Sequence, residues 1–86
     1  MAKWHVYVVR CSDQTLYTGI ATDLASRIEK HNQGRGAKYT RSRRPVVLVY
    51  SKAMRSESAA RKREMAIKRL KKTEKEALIG SVAKRG

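Results

Sequence analysis

The apolar positions of this chain change rhythm several times, and each change marks an element. Trp4 to Arg10, WHVYVVR, is rich in β-branched and aromatic residues and predicts a strand. Ser12 to Gln14 supplies turn chemistry, with an Asp able to bond its own backbone. Leu16 to Ile20 predicts the returning strand. Thr22 or Asp23 can cap a helix reaching Asn32, where Gly34-Arg35-Gly36 stops it. Gly34 to Arg44 then reads as a basic loop. Pro45 opens a third strand, VVLVYS, whose near-continuous apolar run predicts a central, buried position. From Ser56 the period is helical. Thr73 is placed to cap a second helical piece, with Glu76 as its capping-box partner.

The order β-β-α-β-α-α predicts an α/β fold: a small three-stranded, mainly antiparallel sheet flanked by helices. The first two strands must be antiparallel, because a tight turn joins them. With 86 residues, no internal repeat and no linker, the whole span 1–86 reads as one domain.

The hairpin holds half of the chain's four tyrosines. A turn centred on Asp13 sets Tyr7 opposite Gly19 and Tyr17 opposite Val9. Tyr7 and Tyr17 then become diagonal neighbours on one face, about 7–8 Å apart or less. Gly19 leaves a gap opposite Tyr7, the kind of position where a ligand or backbone approaches closely. Ordinary core aromatics would also satisfy this pattern.

The helices carry polar residues where apolar ones are expected. The inward stripe from Leu24 takes in Leu24, Arg27, Ile28 and His31. Arg27 and His31 are one turn apart and project from the same face. An inward Arg calls for an anion, which a structural carboxylate or a phosphate would supply. In SAARKREMAIKRLKK the stripe from Ala60 gives Glu64 and Ile67, with Ala59, Ala66 and Leu70 alongside. Glu64 therefore needs a cation: a neighbouring Arg or Lys, or a hard divalent ion.

Charge changes the picture further. Lys and Arg number 21 against 7 acids, a net charge of +14, which points to a polyanionic partner and first to nucleic acid. No apolar run approaches the roughly 20 residues of a membrane span. The start of the chain has only a short apolar run before Arg10, so no signal peptide is read. Cys11 is the single cysteine, which fits a reducing compartment and a cytoplasmic protein. It reads as a small hydrophobe at a strand end.

Tyr7, Tyr17-Thr18-Gly19, Arg27, His31 and Glu64, in that order and in those contexts, resemble the GIY-YIG nuclease superfamily. Tyr7 matches the first motif tyrosine, and Tyr17-Thr18-Gly19 stands for the second motif. The resemblance is nearest to small, single-domain bacterial members with a GAKYT-like loop before the third strand. It implies metal-dependent cleavage of DNA phosphodiester bonds with one divalent ion, Mg²⁺ or Mn²⁺, on Glu64. It assigns Arg27 to the scissile phosphate, Tyr7 to deprotonating or orienting the attacking water, and Tyr17 and His31 to positioning and proton relay. A phenol with a pKa near ~10 needs nearby positive charge to act as a base, which Arg27 and the ion would provide. The chain departs from the family pattern in three places: His5 replaces the first motif glycine, Ala21-Thr22 occupies the place of a common lysine, and no Asn follows Asn32.

Arg35, Lys38, Arg41, Arg43 and Arg44 crowd the basic loop around Tyr39. They predict phosphate contacts with strong salt dependence, and Tyr39 offers a ring for stacking on a base or for packing over the sheet edge. The chain has no room for an added recognition domain. Low sequence specificity is therefore expected, with selectivity from DNA shape or from a targeting protein partner. The competing reading is a non-catalytic DNA- or RNA-binding module on a nuclease scaffold. A membrane-surface role finds little support, since the last helix carries acids early on.

Overall fold

The computed structural model describes residues 3–83, so the ends of the expected 1–86 domain lie outside the described residues. Seven elements follow one another: β1 Trp4–Arg10, β2 Leu16–Ala21, α1 Leu24–Asn32, α2 Lys38–Arg41, β3 Val47–Met54, α3 Glu57–Lys68 and α4 Lys72–Ala83. The sheet is three-stranded and antiparallel throughout, in the order β2-β1-β3. The hairpin has the expected register, with Tyr7 paired to Gly19 and Val9 to Tyr17. Its turn closes by Cys11 N–H to Thr15 O, and Asp13 accepts from both the backbone and the hydroxyl of Thr15. Gln14 takes the left-handed conformation that the turn requires.

The central strand is β1, not β3. Val6, Tyr7, Val8 and Val9 are all buried, because helices cover both faces of β1. One face carries Tyr7, Val9 and Cys11 against Leu24 and Ile28 of α1. The other carries Val6 and Val8 against Tyr50, Ile67, Leu78 and Ile79. The expected central position of β3 is thus corrected. Its apolar run lies at the sheet edge, with Val47 61% exposed, and a bulge shifts its register where Val8 and Val9 face it.

Caps set the helix ends. Asp23 accepts from Ser26 N–H at the start of α1, and Ser56 accepts from Ala59 N–H at the start of α3. At the end of α1, Gly34 N–H bonds His31 O and Arg35 N–H bonds Lys30 O, with Gly34 left-handed at φ +80°. This paired closure suits a glycine, which pays no Cβ penalty there. The basic loop holds an unexpected single turn, α2. The Thr73–Glu76 capping box does not form: α4 begins at Lys72, two residues earlier than a Thr73 cap requires, and Glu74 accepts from Lys71 N–H. Glu76 instead takes a two-pronged bond from Arg10 at 2.8 and 2.6 Å, tying α4 to the end of β1. That pairing holds the Glu76 carboxyl below its ordinary value, chiefly through the Arg10 hydrogen bond. Ala66 points outward rather than joining the inward stripe of α3.

Ile67 anchors α3 on the sheet and is 1% exposed. Ile67→Ala is expected to cost about 2–5 kcal/mol of stability, measured as a lowered urea midpoint with an unchanged slope.

Candidate active site

The hairpin, α1, the α2 loop and α3 meet around a polar pocket of about 200 Å³. Tyr7, Tyr17, Arg27, His31 and Glu64 all line it, together with Gly19, Gly36, Ala37 and Arg61. Residues far apart in sequence are thus brought to one place by β1, β2, α1 and α3.

Tyr7 and His31 form its floor and are 2% and 1% exposed. The phenol oxygen lies 2.8 Å from His31 Nε2. On the other side of the imidazole, Nδ1 lies 2.8 Å from the Thr40 hydroxyl. The His31 ring stands edge-on to both Tyr7 and Tyr17, with centroids 5.9 and 5.4 Å away. Two glycines make this packing possible. A Cβ on Gly19 would stand 2.6 Å from the Tyr7 oxygen, and one on Gly36 would overlap His31 Nδ1. The gap expected beside Tyr7 is therefore filled by Tyr7 itself.

Burial pushes the Tyr7 phenol well above its ordinary value of 10.0; Tyr17 adds to this, Arg27 opposes it, and Glu64 adds again. Of the positive charge expected to bring this phenol down, Arg27 by itself is outweighed by desolvation. Burial also lowers His31 from 6.5, with Arg27 acting in the same direction. Both groups are consequently neutral in the folded protein at ordinary pH. A depressed histidine stabilises the fold above its unfolded value, and that stability is lost as pH falls through the lower folded value. A raised tyrosine behaves in the mirror sense: its contribution is lost as pH rises past its unfolded value. Thermal stability should therefore be level between about pH 6.5 and 10 with respect to this pair and fall on either side. In thermal melts, His31→Gln should flatten the acid limb just below about pH 6.5.

Arg27 is exposed and lies on the pocket rim rather than in the core. Its side chain has no ion-pair partner among the described residues, so it stays available to an anion. Among the described residues Glu64 is the only carboxylate on the pocket wall, and its side chain is 17% exposed. Its cation is Lys68, one turn along α3 at 3.2 Å, and not Arg27. The Lys68 side chain is half exposed, so it can leave without disturbing the core. Among the described residues there is no group of three or more His, Cys, Asp or Glu arranged to hold a metal. A single carboxylate at an open polar pocket fits a hard ion such as Mg²⁺, which keeps several waters and needs few protein ligands.

Of the loop residues, Arg35, Lys38 and Arg41 are exposed and without an ion pair among the described residues. Arg43 is drawn inward: it bonds Asp13 at 3.0 Å and Tyr39 O at 2.8 Å, and its guanidinium sits 4.0 Å from the Tyr39 ring centre. Tyr39 in turn stacks on Tyr17 at 5.9 Å. Arg44 bonds Arg41 O at 2.8 Å and reaches the last carbonyl of α1 at Asn32. Tyr39, Arg43 and Arg44 thus brace the loop against the hairpin and α1.

Three contributors were not legible in the sequence. Thr40 sits in a basic run with no period to single it out. Gly36 reads only as a helix stop. Asn32 pairs its side-chain amide with both backbone groups of Val46, standing in for a strand neighbour.

Comparison with known proteins identifies the family. Residues 3–77 match the GIY-YIG catalytic domain. A UPF0213 protein of Desulfotalea psychrophila is 57% identical over 88% of this chain and 70% of its own length. A UPF0213 protein of Staphylococcus haemolyticus is 51% identical over 92% of this chain and 96% of its own length. Among solved structures, the UPF0213 protein of Bacillus halodurans is 42% identical over 91% of this chain and 83% of its own, with a TM-score of 0.59. A protein of E. faecalis is 37% identical over 91% of this chain and 84% of its own, with a TM-score of 0.61.

Proposed function

This chain belongs to the GIY-YIG family, and on that premise we propose that it is a metal-dependent endonuclease that hydrolyses DNA phosphodiester bonds with little sequence specificity. The observation that carries this reading is the meeting of Tyr7, Tyr17, Arg27, His31 and Glu64 around one pocket. A binding module has no use for an acid on the wall of a basic protein's pocket, where it repels phosphate. An endonuclease does.

The roles follow from the surroundings of each group. Glu64 would hold one Mg²⁺ or Mn²⁺. When bound there, the ion supplies charge stabilisation for the leaving oxygen. Arg27, exposed on the rim, meets the scissile phosphate and offsets charge that develops on it. Tyr7 is held protonated by burial and is fixed to His31. It therefore orients the attacking water and takes that water's proton on its own oxygen as the O–H proton passes to Nε2, rather than acting as a standing phenolate. Tyr17 walls the pocket and holds the imidazole edge.

Arg35, Lys38 and Arg41, exposed on the basic loop, would meet further phosphates, while Tyr39, Arg43 and Arg44 hold that loop in shape. No recognition element accompanies them among the described residues. Selectivity then comes from DNA shape, such as branches or flaps in repair and recombination, or from a partner protein. Among the described residues no helix is long and apolar enough to cross a membrane.

The test sets duplex, single-stranded and branched DNA against sequence-scrambled versions of each. The reading expects cutting that varies with structure and not with sequence. It also expects affinity to fall steeply with salt, by a log–log slope of about −0.9 for each phosphate contacted in duplex. Arg35, Lys38 and Arg41 changed together to Ala should flatten that slope by about 2–3. Cutting of one duplex sequence with sparing of its scrambled forms would contradict the low-specificity reading.

A further inference from the structure

The two sides of the His31 ring ask for different protons, and the loop decides between them. Nδ1 has two polar neighbours. The Thr40 hydroxyl is 2.8 Å away, and the Ala37 N–H is 3.5 Å away. Ala37 N–H can only donate, so a real bond from it would require a bare Nδ1. Thr40 has one hydroxyl proton, and that proton is directed to Ala37 O at 3.0 Å. Its oxygen is therefore free to accept, which requires Nδ1 to carry a proton. A contact at 2.8 Å outweighs one at the outer limit of hydrogen bonding.

We infer that Thr40 is a positioning residue that holds His31 in the Nδ1–H tautomer, leaving Nε2 bare to receive the Tyr7 proton. The chain of donors then runs one way, from Tyr7 O–H to Nε2, from Nδ1–H to Thr40, and from Thr40 O–H to Ala37 O. The alternative tautomer would point Nε2–H at the phenol oxygen, and Tyr7 could pass no proton to the ring. Thr40 touches neither pocket nor substrate. It is fully buried beneath the loop and acts through the imidazole. The single turn of α2 exists to carry it: Thr40 N–H and O–H both close on Ala37 O. Gly36 lets the loop lie flat on the ring. The catalytic consequence rests on the nuclease reading; the tautomer does not.

The experiment reads the tautomer directly, by two-bond nitrogen–proton NMR of the His31 ring, assigned against a His5→Gln control. Wild type should show the proton on Nδ1. Thr40→Val keeps the shape and removes the hydroxyl, leaving Ala37 N–H as the neighbour of Nδ1, so the proton should move to Nε2. Thr40→Ser should restore the wild-type pattern. Cleavage of branched DNA should fall at least about tenfold in Thr40→Val and recover in Thr40→Ser; a wrong tautomer in a Ser-His-Asp triad costs up to about 10⁴. A wild-type proton on Nε2, or an unmoved proton in Thr40→Val, overturns the inference, and the wild-type spectrum alone decides if that variant does not fold. A tautomer that behaves as stated, with no cutting by any form, leaves the positioning role standing and removes the nuclease reading instead.

Discussion

Glu64→Gln should lower the cleavage rate at least about 10³-fold while leaving the fold and most of the DNA affinity intact. The substitution keeps the size and shape of the side chain and removes only its charge. In the folded protein that charge meets one cation, Lys68, in an ion pair one helical turn long. Pairs of this kind contribute only about 0.3–0.5 kcal/mol, so the melting temperature should barely move. The large effect arises at the pocket, where, among the described residues, Glu64 is the only carboxylate to hold the proposed metal. Losing several kcal/mol of charge stabilisation corresponds to three or more powers of ten in rate. DNA affinity should stay level or rise, because an acid facing phosphate has been neutralised. Cleavage assays beside binding isotherms separate these effects. Unchanged cutting would reduce Glu64 to the partner of Lys68.

Gly19→Ala should lower cleavage by at least about 10²-fold and cost about 1–3 kcal/mol of stability, a double effect that few single methyl groups produce. The new Cβ would fall 2.6 Å from the Tyr7 oxygen and 2.8 Å from its ring carbon, so the phenol must move. Tyr7 has nowhere to retreat: its ring is buried among Val9, Ala21 and Val46. It therefore tilts out of line with His31 Nε2, now 2.8 Å away. Misplacement of a reacting group by about 1 Å is enough for a hundredfold loss. Tyr7→Phe gives the control. It removes the hydroxyl without crowding, so it should lose activity with a smaller change in stability. If Gly19→Ala melts and cuts like wild type, the packing of Tyr7 over Gly19 is not what holds the phenol in place.

Much of this site was readable from local rules. A tight turn at Asp13 with alternating residues fixes the hairpin register, and the register alone puts Tyr7 and Tyr17 on one face. Helical spacing aligned Arg27 with His31 and set Glu64 beside Ala60 and Ile67. What escaped depends on which elements meet. An apolar run announces burial without saying which strand is central, so VVLVYS claimed the place that β1 holds. Arg27 lies on the stripe as read, but at that point the stripe faces an open pocket. Glu74 and Glu76 both sit near a helix start, and Arg10, distant in sequence, takes Glu76 for itself. The single turn carrying Thr40 is stabilised by contact with His31, and no local signal marks such a turn.

The most direct test of the central claim is cleavage of end-labelled branched DNA by the purified wild-type chain, with Mg²⁺ or Mn²⁺ and then with excess EDTA. The account predicts discrete products with the ion present and none once it is chelated, with DNA binding retained throughout. Binding without a cut in either metal, across branched, duplex and single-stranded DNA, would contradict it and leave a nucleic-acid-binding module built on a nuclease fold.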